Sequence, residues 1–333
     1  MKNQPLVSVI LGNYNYGRFL YQSIDSVLNQ TYKNFELIVV DDGSTDNSRE
    51  VIESYHDRFV AIFQSNAGQE ASLTAGIERS KGDIICFLDA DDYFHPEKLS
   101  KVVQKFNEHP EWLQIGHCWI SVNSEGKPVG RGASNILSKG DVSPLLLKWG
   151  KYASAISSGL SCRRSALENV MPFERGWGVD AYLNVAMPFY GKVGCINESL
   201  MFYRTHGKNL RAYSDDLSYL MQQREATAHF INRTAEKAGV DGRFDIERDI
   251  DYQSYKLMQN ETISARGVFK IIVLSLHESI DIGRSPRDTL IRLLYRSICA
   301  GFPKRGKHIL RLGFRRYVIT LLKRQQLADS VRS

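Results

Sequence analysis

Short apolar runs rich in β-branched residues alternate with segments of helical period through the first third of the chain, the pattern of a parallel sheet covered by helices. Val7–Leu11 reads as the first strand, and Phe19, Leu20, Ile24, Val27 and Leu28 recur behind it at helical spacing. Phe35–Val40 predicts a second strand that runs into Asp41-Asp42-Gly43-Ser44-Thr45-Asp46, where small and acidic residues mark a turn and a helix N-cap. Val51, Ile52 and Tyr55 give that helix its buried face. Phe59–Phe63 reads as a third strand, followed by the turn Asn66-Ala67-Gly68-Gln69 and another helix. Asp83–Leu88 is nearly all apolar, as a central parallel strand should be, and stops at Asp89-Ala90-Asp91-Asp92. Pro96 opens a helix over Glu97–His109, and Trp112–Val122 predicts a strand closed by the turn Asn123-Ser124-Glu125-Gly126.

Past Gly130 the pattern weakens to a polar Gly/Ser stretch, a short helix opened by Ser143-Pro144, and a strand near Ile156–Cys162. Asp180–Tyr190 predicts a helix, Lys192–Ile196 a short strand, and Glu198–Asn209 a loop dense in polar and aromatic residues. From Asp215 onward the chain reads as largely helical. The expectation is an α/β fold: a mostly parallel sheet flanked by helices, with a largely helical C-terminal extension.

With 333 residues, 43% of them hydrophobic, the chain can bury at least one full core. Its net charge of +6 is unevenly spread. Arg284–Ser333 holds thirteen Lys/Arg and two Asp/Glu, so this tail carries +11 and the rest −5. The five cysteines are scattered, without CxxC pairs or zinc-like spacing, and a reducing cytoplasm suits them. No secretory leader pattern or span-length apolar run is evident, so a soluble or peripheral protein is expected.

In an open parallel sheet, ligands sit beyond the carboxyl ends of the strands. Three of the first four predicted strands end there in chemistry: Tyr14, Asp41/Asp42, and Asp89/Asp91/Asp92. Carboxylates packed as Asp-x-Asp-Asp repel one another, which a divalent cation relieves; Mg²⁺ or Mn²⁺ sharing its coordination with a diphosphate is the natural occupant. Asp42 offers an acceptor for a base N–H, and Tyr14 a ring on which a base can stack. Each also has a plain structural reading: Asp91/Asp92 as caps of the next turn, and Asp42-Gly43-Ser44 as a turn with a helix cap.

The ordered set Val7-Ser8-Val9-Ile10, Asn13-Tyr14-Asn15, Asp41–Asp46, Asn66–Gln69 and Phe87-Leu88-Asp89-Ala90-Asp91-Asp92 resembles the donor half of the family 2 glycosyltransferases. The resemblance covers about residues 5–105, and continues more faintly to about 210 through Gly178-Val179-Asp180 and Tyr203–Asn209. It implies a GT-A fold, with residues 1–110 as a Rossmann-like nucleotide-sugar donor half, 111–212 as the acceptor half and 213–333 as a basic helical extension. By position, the resemblance makes Asp42 the base-reading aspartate and Tyr14 the stacking tyrosine, and adds Asn13 and Gln69 to the donor contacts. Asp89 and Asp91 match the outer aspartates of the DxD motif, with Asp91 the metal ligand and Asp89 nearer ribose and metal. Asp180 matches the general base of an inverting transfer, and His206 a polar position that approaches metal or diphosphate.

Three departures stand out: Leu73 and Thr74 replace an Arg-Asn pair common after the Gly-Gln turn, Val179 replaces an acidic residue before Asp180, and Gln222-Gln223-Arg224 lacks the continuation found in processive members. A single-addition enzyme is therefore expected; the resemblance implies a UDP-sugar as the donor, and the acceptor is expected to be a saccharide or lipid-linked saccharide in bacterial envelope synthesis. Asp180 could instead be an N-cap, and His206 an ordinary loop histidine or, with Arg204, Lys208 and Arg211, part of a phosphate-attracting set. Trp177 reads equally as core or as a platform for an acceptor sugar. In the tail, Leu310, Phe314, Tyr317, Val318 and Leu321 share a helical stripe among Arg311, Arg315, Arg316, Lys323 and Arg324. That stripe suits an anionic membrane surface or docking on the protein itself. The rival functions are a nucleotidyltransferase, disfavoured by the absence of a Gly-rich loop with lysine after the first strand, and a non-catalytic nucleotide-sugar-binding scaffold. No nucleic-acid-binding motif accompanies the basic tail.

Overall fold

The computed structural model describes residues 4–129, 137–207, 214–259, 264–314 and 317–320. The chain forms two compact units, Met1–Ser143 with Ala153–Asn209, and Pro144–Tyr152 with Leu210–Ser333. In chain order the first elements are β1 (Val7–Asn13), α1 (Gly17–Leu28), β2 (Phe35–Asp41), α2 (Ser48–Glu53), β3 (Val60–Phe63), α3 (Gln69–Arg79) and β4 (Ile84–Asp89). There follow β5 (Tyr93–Phe94), α4 (Lys98–Glu108), β6 (Trp112–Val122) and α5 (Ser143–Trp149), the last belonging largely to the second unit. β7 (Leu160–Arg163), α6 (Arg164–Leu167), α7 (Val179–Ala186) and β8 (Lys192–Arg204) complete the first unit.

The strands form one sheet in the order β3-β2-β1-β4-β7-β6-β8-β5. The first four are mutually parallel. β7 then runs antiparallel to both β4 and β6, while β6 and β8 are parallel and β5 is antiparallel to β8. The α/β expectation holds, with a parallel half and a mixed half. Val7, Val9, Ile10 and Leu11 are buried on both faces of β1, as a strand between two helical layers requires. α1 turns Phe19, Leu20, Ile24 and Val27 into that core, each worth about 1.5–3 kcal/mol of burial. On the other face α3 lies so close to the sheet that a Cβ at Gly76 would come within 2.4 Å of Ile10 Cγ2. This approach fixes how closely the C-terminal half of α3 lies on the sheet.

Two sequence expectations change. Glu198–Asn209 is not a loop throughout: β8 continues to Arg204, paired along β6 and against β5. Its composition hides this because a charged residue, Arg204, is buried there by hydrogen bonds and by stacking on aromatic rings, and the register slips around Cys118. The strand expected near Ile156 starts only at Leu160, since Ser157–Gly159 form a single 3₁₀ turn.

The second unit contains α8 (Leu217–Lys237), α9 (Ile250–Gln259), α10 (Ala265–Asp281), α11 (Pro286–Gly301) and α12 (Pro303–Leu312). Asp216, Ser264 and Ser285 cap α8, α10 and α11 by accepting the N–H three residues on. Arg296 is buried with Glu278, Nη1 to Oε2 2.6 Å. Gly313, at φ 78°, ends α12. Leu310 and Phe314 pack against a core of Leu217, Met258, Cys299, Ile309 and Tyr317. That part of the tail stripe is therefore docked on the protein; Leu321, Lys323, Arg324 and the side chains of Arg315 and Arg316 lie outside the described residues. Among the described residues no helix is long and apolar enough to cross a membrane. All five cysteines are free thiols.

Candidate active site

The parallel order β2-β1-β4 brings the three acidic or aromatic turns side by side. In register, Asn13 lies opposite Asp41 and Gly12 opposite Asp89. Asn13 is buried, its Nδ2 donating to Asp41 Oδ1 at 2.6 Å and to Ser44 Oγ at 3.1 Å. Asp41 also accepts from Ser44 N–H and Oγ–H, so it serves the turn. Asn15, at φ 59°, accepts the Thr45 N–H at 2.7 Å and stitches the first turn to the second. Between them Tyr14 stands 46% exposed, open to a planar ligand.

Asp42 is buried and already accepts three hydrogen bonds, from Gln64 Nε2 (2.6 Å), Ala67 N (2.9 Å) and Gly68 N (2.8 Å). It thus holds the Asn66–Gln69 turn, with about one carboxylate lone pair left for a ligand N–H. The same turn is tied onward, because Ala67 O accepts from Arg175 Nη2 at 3.1 Å. Glu70, which the sequence reading passed over, is buried, and its Oε1 accepts from both Gly176 N and Gly178 N at 3.1 Å. Gly178 has φ 68° and opens α7, so Glu70 clamps the turn that carries Asp180 in the first turn of that helix. Trp177 is half-buried in this turn.

Three carboxylates gather at the end of β4. Asp89 accepts from Gln69 Nε2 at 2.9 Å and from the Ser157 hydroxyl. Burial first, then the neighbouring Asp91, and more weakly Asp180, raise its pKa to about 6. Gln69 therefore orients Asp89, and Asp180 lies near enough to sense it. Asp91 Oδ2 is 2.9 Å from His206 Nε2. Asp92 is fully buried, and burial followed by Asp91 and Asp89 pushes its pKa well above the carboxylate range; its Oδ2 has no hydrogen-bond partner. Beneath them, the buried ammonium of Lys98 donates to Ser158 O at 2.7 Å over the Phe94 ring, its pKa pulled down to about 7 chiefly by desolvation.

His206 is not an exposed loop residue. Its side chain is 1% exposed, packed between Tyr16 (5.4 Å) and Phe19 (5.1 Å), and aimed at Asp91. Tyr16 belongs to this group too: burial, then Asp91 and Asp89, raise its hydroxyl pKa to about 12. The expected phosphate-attracting role of Arg204 is corrected. Its guanidinium is buried, donating to Asp91 O, Ser124 O and Gln22 Oε1 and stacked over Phe19, so it braces the backbone of the acidic turn. Lys208 and Arg211 lie outside the described residues. At the departures, Leu73 and Val179 are buried, and the Thr74 hydroxyl donates back to Glu70 O at 2.7 Å.

The donor set suits a hard divalent cation. Asp91 and Asp89 crowd enough to raise a pKa, and Asp92 keeps an unsatisfied oxygen behind them. Among the described residues, no group of three or more His, Cys, Asp or Glu side chains could hold an ion unaided, so Asp89, Asp91 and His206 are not a closed cage. An ion here would complete its shell from diphosphate and water oxygens.

Comparison with known proteins agrees with this geometry. Residues 8–170 match the model of the family "Glycosyl transferase family 2". An uncharacterized glycosyltransferase of Nostoc sp. strain PCC 7120 is 33% identical over 92% of this chain and 96% of its own length. Another, from Haemophilus influenzae, is 46% identical over 30% of this chain and 41% of its own. The fold resembles S. aureus TarS 1–349 in complex with UDP-GlcNAc, with a TM-score of 0.52 at 14% identity over 93% of this chain and 91% of that one. It also resembles the mannosyltransferase PcManGT from Pyrobaculum calidifontis in complex with GDP-Man and Mn2+, with a TM-score of 0.50 at 14% identity over 93% and 88%. The relative matched along nearly its whole length, the family model and the juxtaposed strand-end turns together make this chain a member of glycosyl transferase family 2, a GT-A glycosyltransferase that draws on a nucleotide-sugar donor.

Proposed function

We propose that this chain transfers a single sugar, with inversion, from a UDP-sugar to an acceptor hydroxyl in bacterial envelope polysaccharide or glycolipid synthesis. The observation that carries the reading is the convergence of Asp89, Asp91 and His206 with Asp180 at the ends of β4 and β8 and the start of α7. Tyr14 would stack on the base, and the remaining capacity of Asp42 would receive a base N–H beside the turn it holds. Asn13 and Gln69 act mainly through Asp41 and Asp89, setting the walls of the donor pocket.

Mn²⁺ or Mg²⁺ would be held by Asp91, with Asp89 and His206 beside it, and supplies neutralisation of charge on the departing diphosphate. A bound Mn2+ in the structurally similar mannosyltransferase supports this choice. Asp180 would accept the proton of the acceptor hydroxyl as it attacks; its position in the first turn of α7, held through Glu70, supports that role. The absence of a processive signature after Arg224 supports one addition per encounter. The acceptor is read as a saccharide or lipid-linked saccharide at the inner face of the plasma membrane, with the protein cytoplasmic or peripheral there.

The test is a thermal-shift panel with Mn²⁺ and UDP, dTDP, GDP, CMP or ATP on the wild type and on Asp91→Ala. A metal-dependent stabilisation by UDP that disappears in the variant is expected, since a ligand at a hundred times its Kd adds about 2.7 kcal/mol. Response to a different diphosphate would change the base; no response to any would favour a scaffold that kept the fold and lost turnover.

A further inference from the structure

Helices α10 and α11 form a hairpin that rests on α9. Opposite its buried positions Ile271, Ser275 and Glu278, α10 presents Phe269, Leu276 and Ile280, which are 67%, 41% and 65% exposed. α11 repeats the arrangement: Arg296, Cys299 and Ala300 face inward, while Leu290, Ile291 and Leu294 are 57%, 41% and 49% exposed. Phe302, just past α11, is exposed as well. Single exposed apolar residues are ordinary, but two packed helices that are both apolar on their outer faces make a patch with a purpose.

Charge identifies the occupant. Ser264–Thr320 contains twelve Lys/Arg and three Asp/Glu. Two of those acids are engaged within the protein, Glu278 with Arg296, and Asp281 with Lys148 and Trp149. The bases include Arg266 and Lys270 on α10, Arg287 on α11, and Lys304 and Arg305 beside Phe302, all exposed. A second copy docking through the same face would set these cations against their own equivalents. A surface that is apolar beneath a sheet of phosphates matches both features.

We propose that the α10–α11 hairpin, with Phe302, is the surface on which this protein lies against an anionic lipid bilayer. The apolar side chains enter the boundary between headgroups and acyl chains, and the flanking Arg and Lys side chains meet lipid phosphates. This rests on the reading of a membrane-borne acceptor and deepens it, assigning the contact to α10–α11 in place of the 310–321 stripe, part of which is docked in the core.

The experiment is flotation of the full chain with vesicles of phosphatidylcholine, with or without phosphatidylglycerol, for the wild type, Leu290→Ser/Leu294→Ser and Lys270→Glu/Arg287→Glu. Nucleotide thermal shift and light scattering run alongside as solution readouts. The wild type should float with anionic vesicles and not with neutral ones, and each double variant should lose roughly tenfold or more in partition. Both variants should keep the wild-type nucleotide response, which shows that they fold. No flotation of the wild type, or flotation unchanged in both variants, overturns the proposal. So does a concentration-dependent dimer that the Leu290→Ser/Leu294→Ser variant dissolves. A wild type that floats yet ignores every nucleotide would sink the donor reading and leave the membrane surface standing.

Discussion

Replacing Asp89 by Asn should stabilise the metal-free protein at neutral pH while abolishing metal-dependent donor binding. An isolated aspartate titrates near 3.8, whereas burial and Asp91 raise Asp89 to about 6. The folded state therefore holds this proton more tightly than the unfolded state. Below about pH 4 both states are protonated and nothing is lost; between about pH 4 and 6 the unfolded state ionises first and the fold loses stability, and above about pH 6 both states are ionised and the loss levels off. A shift of about two units at ~1.4 kcal/mol each sets an upper bound of ~3 kcal/mol. Asp89 retains some contact with solvent, which reduces that bound. Asn also cannot accept from Gln69 and Ser157 with both side-chain atoms, which costs ~1 kcal/mol. The net gain should be about 1–2 kcal/mol above pH 7, vanishing or reversing slightly below pH 4. In thermal unfolding with a chelator this is a rise of roughly 2–8 °C at pH 8. Mn²⁺ with UDP should then stabilise the wild type and leave the variant unmoved. A variant destabilised equally at pH 8 and pH 4 would refute the reasoning, because the carboxylate would then be a satisfied structural group.

Asp180→Asn should lower kcat by about 10²–10⁴ while nucleotide affinity stays at the wild-type level, measured by turnover against isothermal titration; weakened donor binding instead would assign Asp180 to the donor pocket. Glu70→Ala should lower kcat by roughly tenfold or more through loosening of the 176–178 turn, with nucleotide binding retained. Glu70→Gln should restore turnover, because both N–H groups go to one oxygen that an amide carbonyl reproduces. If Gln and Ala behaved alike, the charge of Glu70, and not its clamp, would be what matters.

The parallel half of the sheet was legible because its signals are local. Alternating apolar runs announce β1, β2 and β4, and the acidic residues at their ends are spelled out within a few positions of each strand. Sequence alone could also offer Asp42, Asp89, Asp91 and Asp180 as candidates, since carboxylates in turns narrow the chemistry to caps, metals and proton transfer. It could not rank those uses: Asp41 and Asp42 are largely spent holding turns, while Asp89 is buried beside Asp91, which together with burial raises the Asp89 pKa.

What only the tertiary structure decided depends on partners far apart in the chain. Arg204 looked like a phosphate ligand until β8 paired with β6 and β5 and drew its guanidinium under Asp91, 113 positions away. His206 stood in the sequence as a residue near metal or diphosphate, with an ordinary loop histidine as the alternative; the packing of Tyr16 and Phe19 around its ring and its approach to Asp91 exclude an exposed loop side chain. Glu70 carried no motif at all, because its partners are two backbone N–H groups more than a hundred residues on. The tail stripe read alike for a membrane or a core, and Gly313 with the packing of Phe314 and Tyr317 chose the core for part of it. Periodicity records which face of a segment is apolar. Which surface covers that face, and which buried polar group meets which donor, is set by long-range packing that no window along the sequence contains.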